Sequence, residues 1–182
     1  MKRHHEPYPF IVLDSHYNVL DVNLGTLKLF ELTMPALSDT LLSGHRSLDK
    51  LPTLNLVSFT FMPGGPHTHI ENFDDVGQAL LWRLQREVLA NPEDHTLREL
   101  LEDTIKLPTV SPDWRKVDLT RPSLPSLLIH IKVQHEVLRF VTLITSFQTP
   151  QSTLLDELRI ETWLPADTNT ATIYQRLTLN PS

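Results

Sequence analysis

The spacing of apolar residues most constrains the fold, because it changes from a helical to an extended period along the chain. From Leu127 to Phe147 apolar side chains recur at every second residue on either side of a short polar turn, which predicts a long antiparallel hairpin. A further extended run over residues 158–164 stops at Pro165. The period therefore predicts a β-sheet in the C-terminal third of the chain.

Upstream of this hairpin, apolar residues recur at helical spacing. A first helix is predicted to begin at Asn72, with Asp75 as a shorter-armed version of the capping box. A second helix restarts after the first, where a proline and two acids are typical of a helix start, and it continues to Pro108. Residues 35–71 predict only short helices and loops, so we expect one block of helices in the middle of the chain.

The first residues predict a second, shorter hairpin. Residues 10–13 and 19–22 are extended runs separated by turn-forming residues, and Asn23 follows as the predicted N-cap of a short helix. A last short helix is predicted to begin at Asp167 or Thr168. This order of elements predicts an α+β fold, in which a five-stranded antiparallel sheet carries the mid-chain block of helices on one face.

The composition limits the class of protein. A chain of 182 residues with 40% hydrophobic residues and no cysteine can bury a core without disulfides, so we expect one domain over residues 1–182. No apolar run approaches the ~20 residues of a membrane helix and no signal-peptide pattern opens the chain, so we expect a cytoplasmic location and no membrane partner. The net charge of −6, with only 16 lysines and arginines, argues against nucleic acid as a partner of this chain.

Sequence motifs for catalysis are absent. The chain has no Gly-x-Ser-x-Gly elbow, no P-loop and no dinucleotide-binding glycine pattern. His67, His69 and Glu71 beside two glycines are similar to the first metal motif of cupin enzymes, but the glutamate follows the second histidine too closely for that motif. We therefore expect no catalytic residue and no metal ligand. Arg159 and Glu161 share one side of the predicted last strand and are expected to point to solvent or to cross-strand charges.

Several segments resemble one known family, and the most specific of them lie near the end of the chain. The matching segments are Tyr8–Asp14, Tyr17–Asn23, Leu29–Phe30, Asn55–Leu56, Asn72–Phe73, Arg83–Glu87, Pro112–Arg115, Thr142–Gln151, Asp156–Glu161 and Leu164–Asp167. On these residues the chain resembles the ligand-binding domain of the MmyB-like helix-turn-helix transcription regulators. The resemblance covers about residues 7–177.

This resemblance implies a PAS-like domain that follows a DNA-binding helix-turn-helix in a regulator and senses a small apolar ligand. Fatty acyl chains are the implied ligand class, so a bound fatty acid or similar lipid is expected and no other cofactor. No helix-turn-helix lies in these 182 residues. We therefore expect an isolated or excised ligand-binding half, which contacts DNA only through the absent domain.

A lipid pocket is expected between the helix that begins at Asn72 and one face of the sheet. Each buried methylene contributes about 0.8 kcal/mol, so apolar contacts alone can hold an acyl chain. The expected wall consists of Val76, Leu80 and Leu84 on the helix and of Leu138, Phe140, Thr142 and Ile144 on the sheet. Arg83, Arg86 and Arg139 are the candidate partners of a ligand carboxylate, since they stand at the edges of apolar elements.

Two alternatives stay open beside the ligand sensor. If the wall residues form an ordinary close-packed core, the chain is a ligand-free protein-interaction or dimerisation module, with a second copy of the chain as its partner in a homodimer. The other alternative is a cupin-like metal-dependent enzyme built on the histidine motif.

Overall fold

The structure, a computed structural model, describes residues 4–34, 54–116, 126–147 and 158–179. Its strands are β1 (Phe10–Leu13), β2 (Val19–Val22), β3 (Leu127–Val133), β4 (Glu136–Phe147) and β5 (Leu158–Pro165). Its helices are α1 (Leu24–Thr33), α2 (Leu56–Phe61), α3 (Phe73–Ala90), α4 (His95–Thr104) and α5 (Thr168–Leu179), and a 3-10 turn spans Pro66–His69. The order of elements confirms both predicted hairpins and the block of helices between them. Helix α4 is shorter than predicted, because it begins after Asp94, whose side chain caps it, and ends at Thr104.

The five strands form one antiparallel sheet in the order β2-β1-β5-β4-β3. Each predicted hairpin supplies a pair of neighbouring strands. Strand β5 pairs with β1 on one side and with β4 on the other, so it joins the two hairpins into a single sheet. The arrangement confirms the predicted PAS-like α+β fold with a five-stranded antiparallel sheet.

Helix α3 begins directly after Asn72, as predicted, but the predicted capping role of this side chain is wrong. Asn72 makes no side-chain cap to the helix. Its amide nitrogen donates to the Leu128 carbonyl at 2.8 Å, and its amide oxygen accepts from the His130 backbone N–H at 2.9 Å. Because the side chain satisfies strand β3, it fixes the start of α3 to the edge of the sheet. Asp74 and Asp75 lie in the first turn, at the positive end of the helix dipole.

Helix α1 is fixed to strand β1 through Asn23, whose predicted capping role is confirmed. Its side-chain oxygen accepts from the backbone N–H of Thr26 at 2.9 Å and from that of Phe10 at 3.1 Å. Gly25 permits this close approach, because a Cβ at this position would lie 2.0 Å from the Pro7 carbonyl oxygen. The first turn of α1 therefore lies directly against residues 7–10, where the chain enters β1.

Two buried clusters hold the helices against the inner face of the sheet, which is the face turned toward them. In one cluster, Leu81 and Leu84 of α3 pack against residues of α2, α4 and the β1-β2 hairpin. In the other, Tyr174 of α5 packs edge-on against Phe140 of β4, and its hydroxyl donates to the Gly25 carbonyl at 2.7 Å. An apolar cavity remains where the two clusters meet.

Candidate functional site

The cavity has a volume of about 80 Å³ and lies between the inner face of the sheet and helices α1, α2 and α3. This is about half of the roughly 150 Å³ of an engineered apolar cavity that takes up benzene in another protein. Both layers of the fold contribute lining residues: Ile11, Thr26, Leu29, Phe30, Leu56, Phe59, Thr60, Pro66, Ile70, Val76, Leu80, Arg83, Leu127, Ile129, Thr142, Glu161 and Trp163. A largely apolar lining favours an apolar occupant over water.

The three threonine hydroxyls of the lining all have hydrogen-bond acceptors within the protein. The Thr26 hydroxyl lies 3.0 Å from the Asn23 side-chain oxygen and 3.1 Å from a carbonyl of β1. Thr60 donates to the carbonyl four residues before it at 2.7 Å, and Thr142 donates to a carbonyl of β3 at 3.3 Å. A hydroxyl that is already bonded adds little demand for water. The three hydroxyls therefore need no water in the cavity as a hydrogen-bond acceptor.

Arg83 and Glu161 are the two charged residues of the lining. Glu161 is only 8% exposed, and its Oε1 accepts a hydrogen bond from the indole Nε1–H of Trp163 at 2.7 Å. Burial raises the pKa of Glu161 above its usual range, although the Trp163 hydrogen bond and the positive charge of Arg83 act in the opposite direction. Among the described residues, no ion pair joins Arg83 to Glu161 and no hydrogen bond involves the Arg83 guanidinium.

A second pair of opposite charges, Arg159 and Glu87, lies beside the first. We call it the closed pair, because its two side chains are in direct contact. Arg159 of β5 donates to Glu87 of α3 at 2.8 Å, and the Tyr17 hydroxyl donates to the other oxygen of Glu87 at 2.8 Å. The Arg159 guanidinium also lies 5.0 Å from the centre of the Tyr17 ring. Burial, together with the negative charge of Glu87, raises the pKa of Tyr17. The expectation that Arg159 and Glu161 point to solvent or to cross-strand charges is therefore wrong, because both are buried, face the helices and have uncharged partners across the strands.

Four of the residues expected in the pocket line the cavity. Val76, Leu80 and Arg83 come from α3, and Thr142 comes from β4. The helical and strand spacing brings these side chains together, since positions four or seven apart share a helix face and alternate residues share a strand face.

The other apolar candidates do not line the cavity. Leu84 is fully buried in the cluster with α2 and α4, while Leu138 and Phe140 are fully buried in the cluster with α5. Ile144 is half-buried and lies opposite Glu161 in the β4-β5 ladder. These side chains belong to the packed surroundings of the cavity.

The two remaining basic candidates also lie outside the cavity lining. Arg86 is exposed on α3. Arg139 is exposed on β4, where its guanidinium lies 3.7 Å from the Asp167 carboxylate. Of the three arginines expected near a ligand carboxylate, Arg83 is the one that the structure places at the cavity.

Glu161 and Trp163 are the residues that sequence reasoning missed. Apolar residues alternate with charged ones along β5, which led to the expectation that the charged face meets solvent. The sequence did contain a signal that β5 turns its charged face inward. Arg83 and Glu87 lie one turn apart on α3, with the charges that can complement Glu161 and Arg159 on one face of the strand.

The histidine motif lacks the strand geometry that a cupin metal site requires. His67 and His69 lie in the 3-10 turn between α2 and α3. Among the residues that the structure describes, no group of three or more histidine, aspartate or glutamate side chains could hold a metal ion.

None of the described helices combines the length and the apolar character needed to span a membrane.

Comparison with known proteins gives one family. A family model described as the MmyB-like transcription regulator ligand binding domain matches residues 3–177. No curated protein matches the chain. The matched region includes every strand of the described sheet and every lining residue of the cavity.

Proposed function

Because this chain belongs to the MmyB-like transcription regulator ligand-binding domain family, we propose that it senses a small apolar ligand, such as a fatty acid, in the cavity beneath α3. The observation that carries this proposal is the cavity itself. Its walls are apolar side chains from two different layers of the fold, such as Leu80 of α3 and Ile129 of β3. A ligand that enters between these layers contacts both at once.

The volume of the cavity sets the expected chain length. A space of about 80 Å³ suits a short alkyl chain as it stands. Each further methylene contributes about 0.8 kcal/mol if it is buried, so a longer chain gains affinity only where α3 and the sheet separate to admit it. A separation of this kind would carry the binding event to the surface of the domain, as a regulator requires.

Thermal unfolding with a series of saturated fatty acids of increasing chain length tests the proposal. A ligand at about 100 times its Kd adds about 2.7 kcal/mol to the free energy of unfolding. Leu80→Trp should abolish the shift while the protein stays folded, because the indole fills the cavity. If no chain length raises the melting temperature of the wild type, the lipid proposal is wrong.

A second candidate function, a ligand-free homodimerisation module, is favoured by the outer face of the sheet. Leu128, Leu143 and Leu164 lie on this face and are 40%, 42% and 39% exposed. Val141 pairs with both Leu128 and Leu164 and makes the patch continuous across three strands. Sedimentation analysis of the wild type and of Leu143→Lys measures dimerisation. A dimer that this change dissociates, together with no fatty-acid shift, would make dimerisation the primary function.

We also propose that this domain performs no catalysis and binds no DNA by itself, as a cytoplasmic sensor attached to a separate DNA-binding part would. The threonine hydroxyls at the cavity already donate hydrogen bonds within the protein, so none of them is prepared as a nucleophile. The net charge of −6 disfavours contact with phosphates. A gel shift with duplex DNA at physiological salt should show no complex, and a salt-dependent complex of sub-micromolar affinity would contradict this.

A further inference from the structure

Two residues of opposite charge, Arg83 and Glu161, line the cavity, and no ion pair joins them among the described residues. Arg83 enters from α3 and Glu161 from β5. Trp163 occupies Oε1 of Glu161, whereas Oε2 has no hydrogen-bond partner among the described residues. The guanidinium of Arg83 also has no hydrogen-bond partner among the residues that the structure describes. Arg83 and Glu161 therefore offer a hydrogen-bond donor and a hydrogen-bond acceptor to a largely apolar cavity.

The chemistry of these two groups restricts what can lie between them. Arginine only donates hydrogen bonds, and an ionised carboxylate only accepts them. The positive charge of Arg83 would repel an alkylammonium head group. The negative charge of an ionised Glu161 would repel an anionic head group. A head group that accepts from Arg83 and donates to Glu161 satisfies both residues.

Resting on the proposed function, we propose that Arg83 and Glu161 form a head-group subsite for an alkyl ligand whose polar end both accepts and donates a hydrogen bond. This end is a hydroxyl, or a carboxyl that shares one proton with Glu161. In the second case two carboxyl groups and one guanidinium lie together with a single proton, which bridges Oε2 of Glu161 and an oxygen of the ligand.

The surroundings of Glu161 leave few other groups to supply this proton. Its partners across the strands are Ile11 of β1 and Ile144 of β4, neither of which titrates. Arg83 is the charged residue that faces it from α3, and no other residue of the cavity lining is titratable. Arg159, two positions away on β5, is paired with Glu87. The shared proton is therefore held by Glu161 before binding or is taken up from solvent on binding.

This proton gives the two kinds of ligand different pH dependence. Above the pKa of Glu161, binding of a carboxylate takes up one proton, so its apparent affinity falls about tenfold for each pH unit. A hydroxyl carries its own hydrogen and takes up no proton. Burial of Glu161 raises its pKa, which brings this transition closer to neutral pH.

Isothermal titration calorimetry with octanoate and with 1-octanol, from about pH 6 to about pH 9, tests the subsite. For the wild type we expect the octanoate affinity to fall with pH while the 1-octanol affinity stays constant. Glu161→Gln should make octanoate binding independent of pH, because the glutamine amide donates to the ligand without a titrating proton and still accepts from Trp163. Arg83→Met should weaken both ligands at least fivefold.

An exposed pair provides matched control variants. Glu136 and Arg176 lie 4.0 Å apart at the surface, and neither lines the cavity. Glu136→Gln and Arg176→Met make the same chemical changes and should alter neither affinity nor pH dependence. Melting temperatures of all four variants show that each is folded.

Two results would overturn the inference, and they are distinguishable. Octanoate that binds the wild type with constant affinity, or that keeps its pH dependence in Glu161→Gln, contradicts the subsite and leaves the proposed ligand-binding function standing. If neither octanoate nor 1-octanol binds the wild type at any pH, and no fatty acid shifts its melting temperature, both the subsite and the proposed function are wrong.

Discussion

Helix α3 and strand β5 meet through two pairs of opposite charges, and the two pairs are built differently. The helix carries Arg83 and Glu87 one turn apart, and the strand carries Glu161 and Arg159 on the face turned toward it. Glu87 and Arg159 are in contact at 2.8 Å and share Tyr17 as a further partner. Arg83 and Glu161 lie at the cavity, and among the described residues no ion pair joins them.

Both pairs consist of an arginine and a glutamate, but the presence or absence of direct contact gives one pair a structural role and the other a binding role. A buried ion pair whose hydrogen bonds are all made holds two elements in one arrangement. A mostly buried carboxylate is stabilised by a bound partner that donates a hydrogen bond to it. We infer that the closed pair of Glu87 and Arg159 fixes α3 on the sheet. We infer that the open pair of Arg83 and Glu161 binds a ligand.

The largest expected effect comes from breaking the closed pair. Arg159→Met leaves Glu87 without its ion-pair partner in a mostly buried position and should lower the free energy of unfolding by about 3 kcal/mol. Arg83→Met removes a charge that has no ion pair and should cost less than about 1 kcal/mol. Urea unfolding of both variants measures the difference. Equal losses would show that the two pairs are not distinct.

The next effect compares the packed and the open parts of α3. Leu84 is fully buried in the cluster around α2 and α4, so Leu84→Trp should cost about 1 to 3 kcal/mol through overpacking. Leu80 borders the cavity, and Leu80→Trp should cost clearly less because the indole has space to enter. Guanidinium unfolding of the two variants decides this. A loss for Leu80→Trp as large as that for Leu84→Trp would mean that the cavity is not available.

A smaller effect follows from the raised pKa of Glu161. The native protein keeps this proton at pH values where the unfolded chain has released it. The free energy of unfolding contributed by this group therefore falls as pH rises from the ordinary glutamate range to the raised pKa. Glu161→Gln removes this loss, so its advantage in free energy of unfolding over the wild type should grow as the pH rises above the ordinary glutamate range. An advantage that shrinks with pH would contradict the assigned environment.

The smallest effect is expected at the exposed pair. Glu136 and Arg176 are separated by 4.0 Å, with side chains that are 47% and 63% exposed. An ion pair of this kind contributes about 0 to 1 kcal/mol, so Arg176→Met should leave the urea midpoint nearly unchanged. A loss near that of Arg159→Met would show that burial is not what distinguishes the closed pair.

The sequence predicted the sheet and most helix positions because local spacing determines them. The hairpins around residues 14–18 and 134–135 and the start of α3 at Asn72 follow from period and turn residues alone. The bond from Asn72 to β3 could not be predicted in this way. It joins residues more than fifty positions apart and replaces a local cap by a tertiary contact.

The candidate site was predicted in part, for the same reason. Val76 and Leu80 were predicted because they share one helix face, and Arg83 was predicted because it stands at the edge of an apolar element. Glu161 was missed because β5 turns its charged residues inward and exposes Leu158 and Leu164. Period-two alternation identifies the two faces of a strand but not which face is buried, and here partners on α3 decide it.

The most direct test of a ligand cavity between helix and sheet is to locate a bound alkyl chain by NMR. Intermolecular NOEs should connect the methyl end of octanoate to the side chains of Leu80 and Ile129, and its head-group end to the indole of Trp163. The account predicts these contacts in the wild type and their loss in Leu80→Trp. Contacts confined to the outer face of the sheet, for example to Leu143 and Leu164, would contradict it.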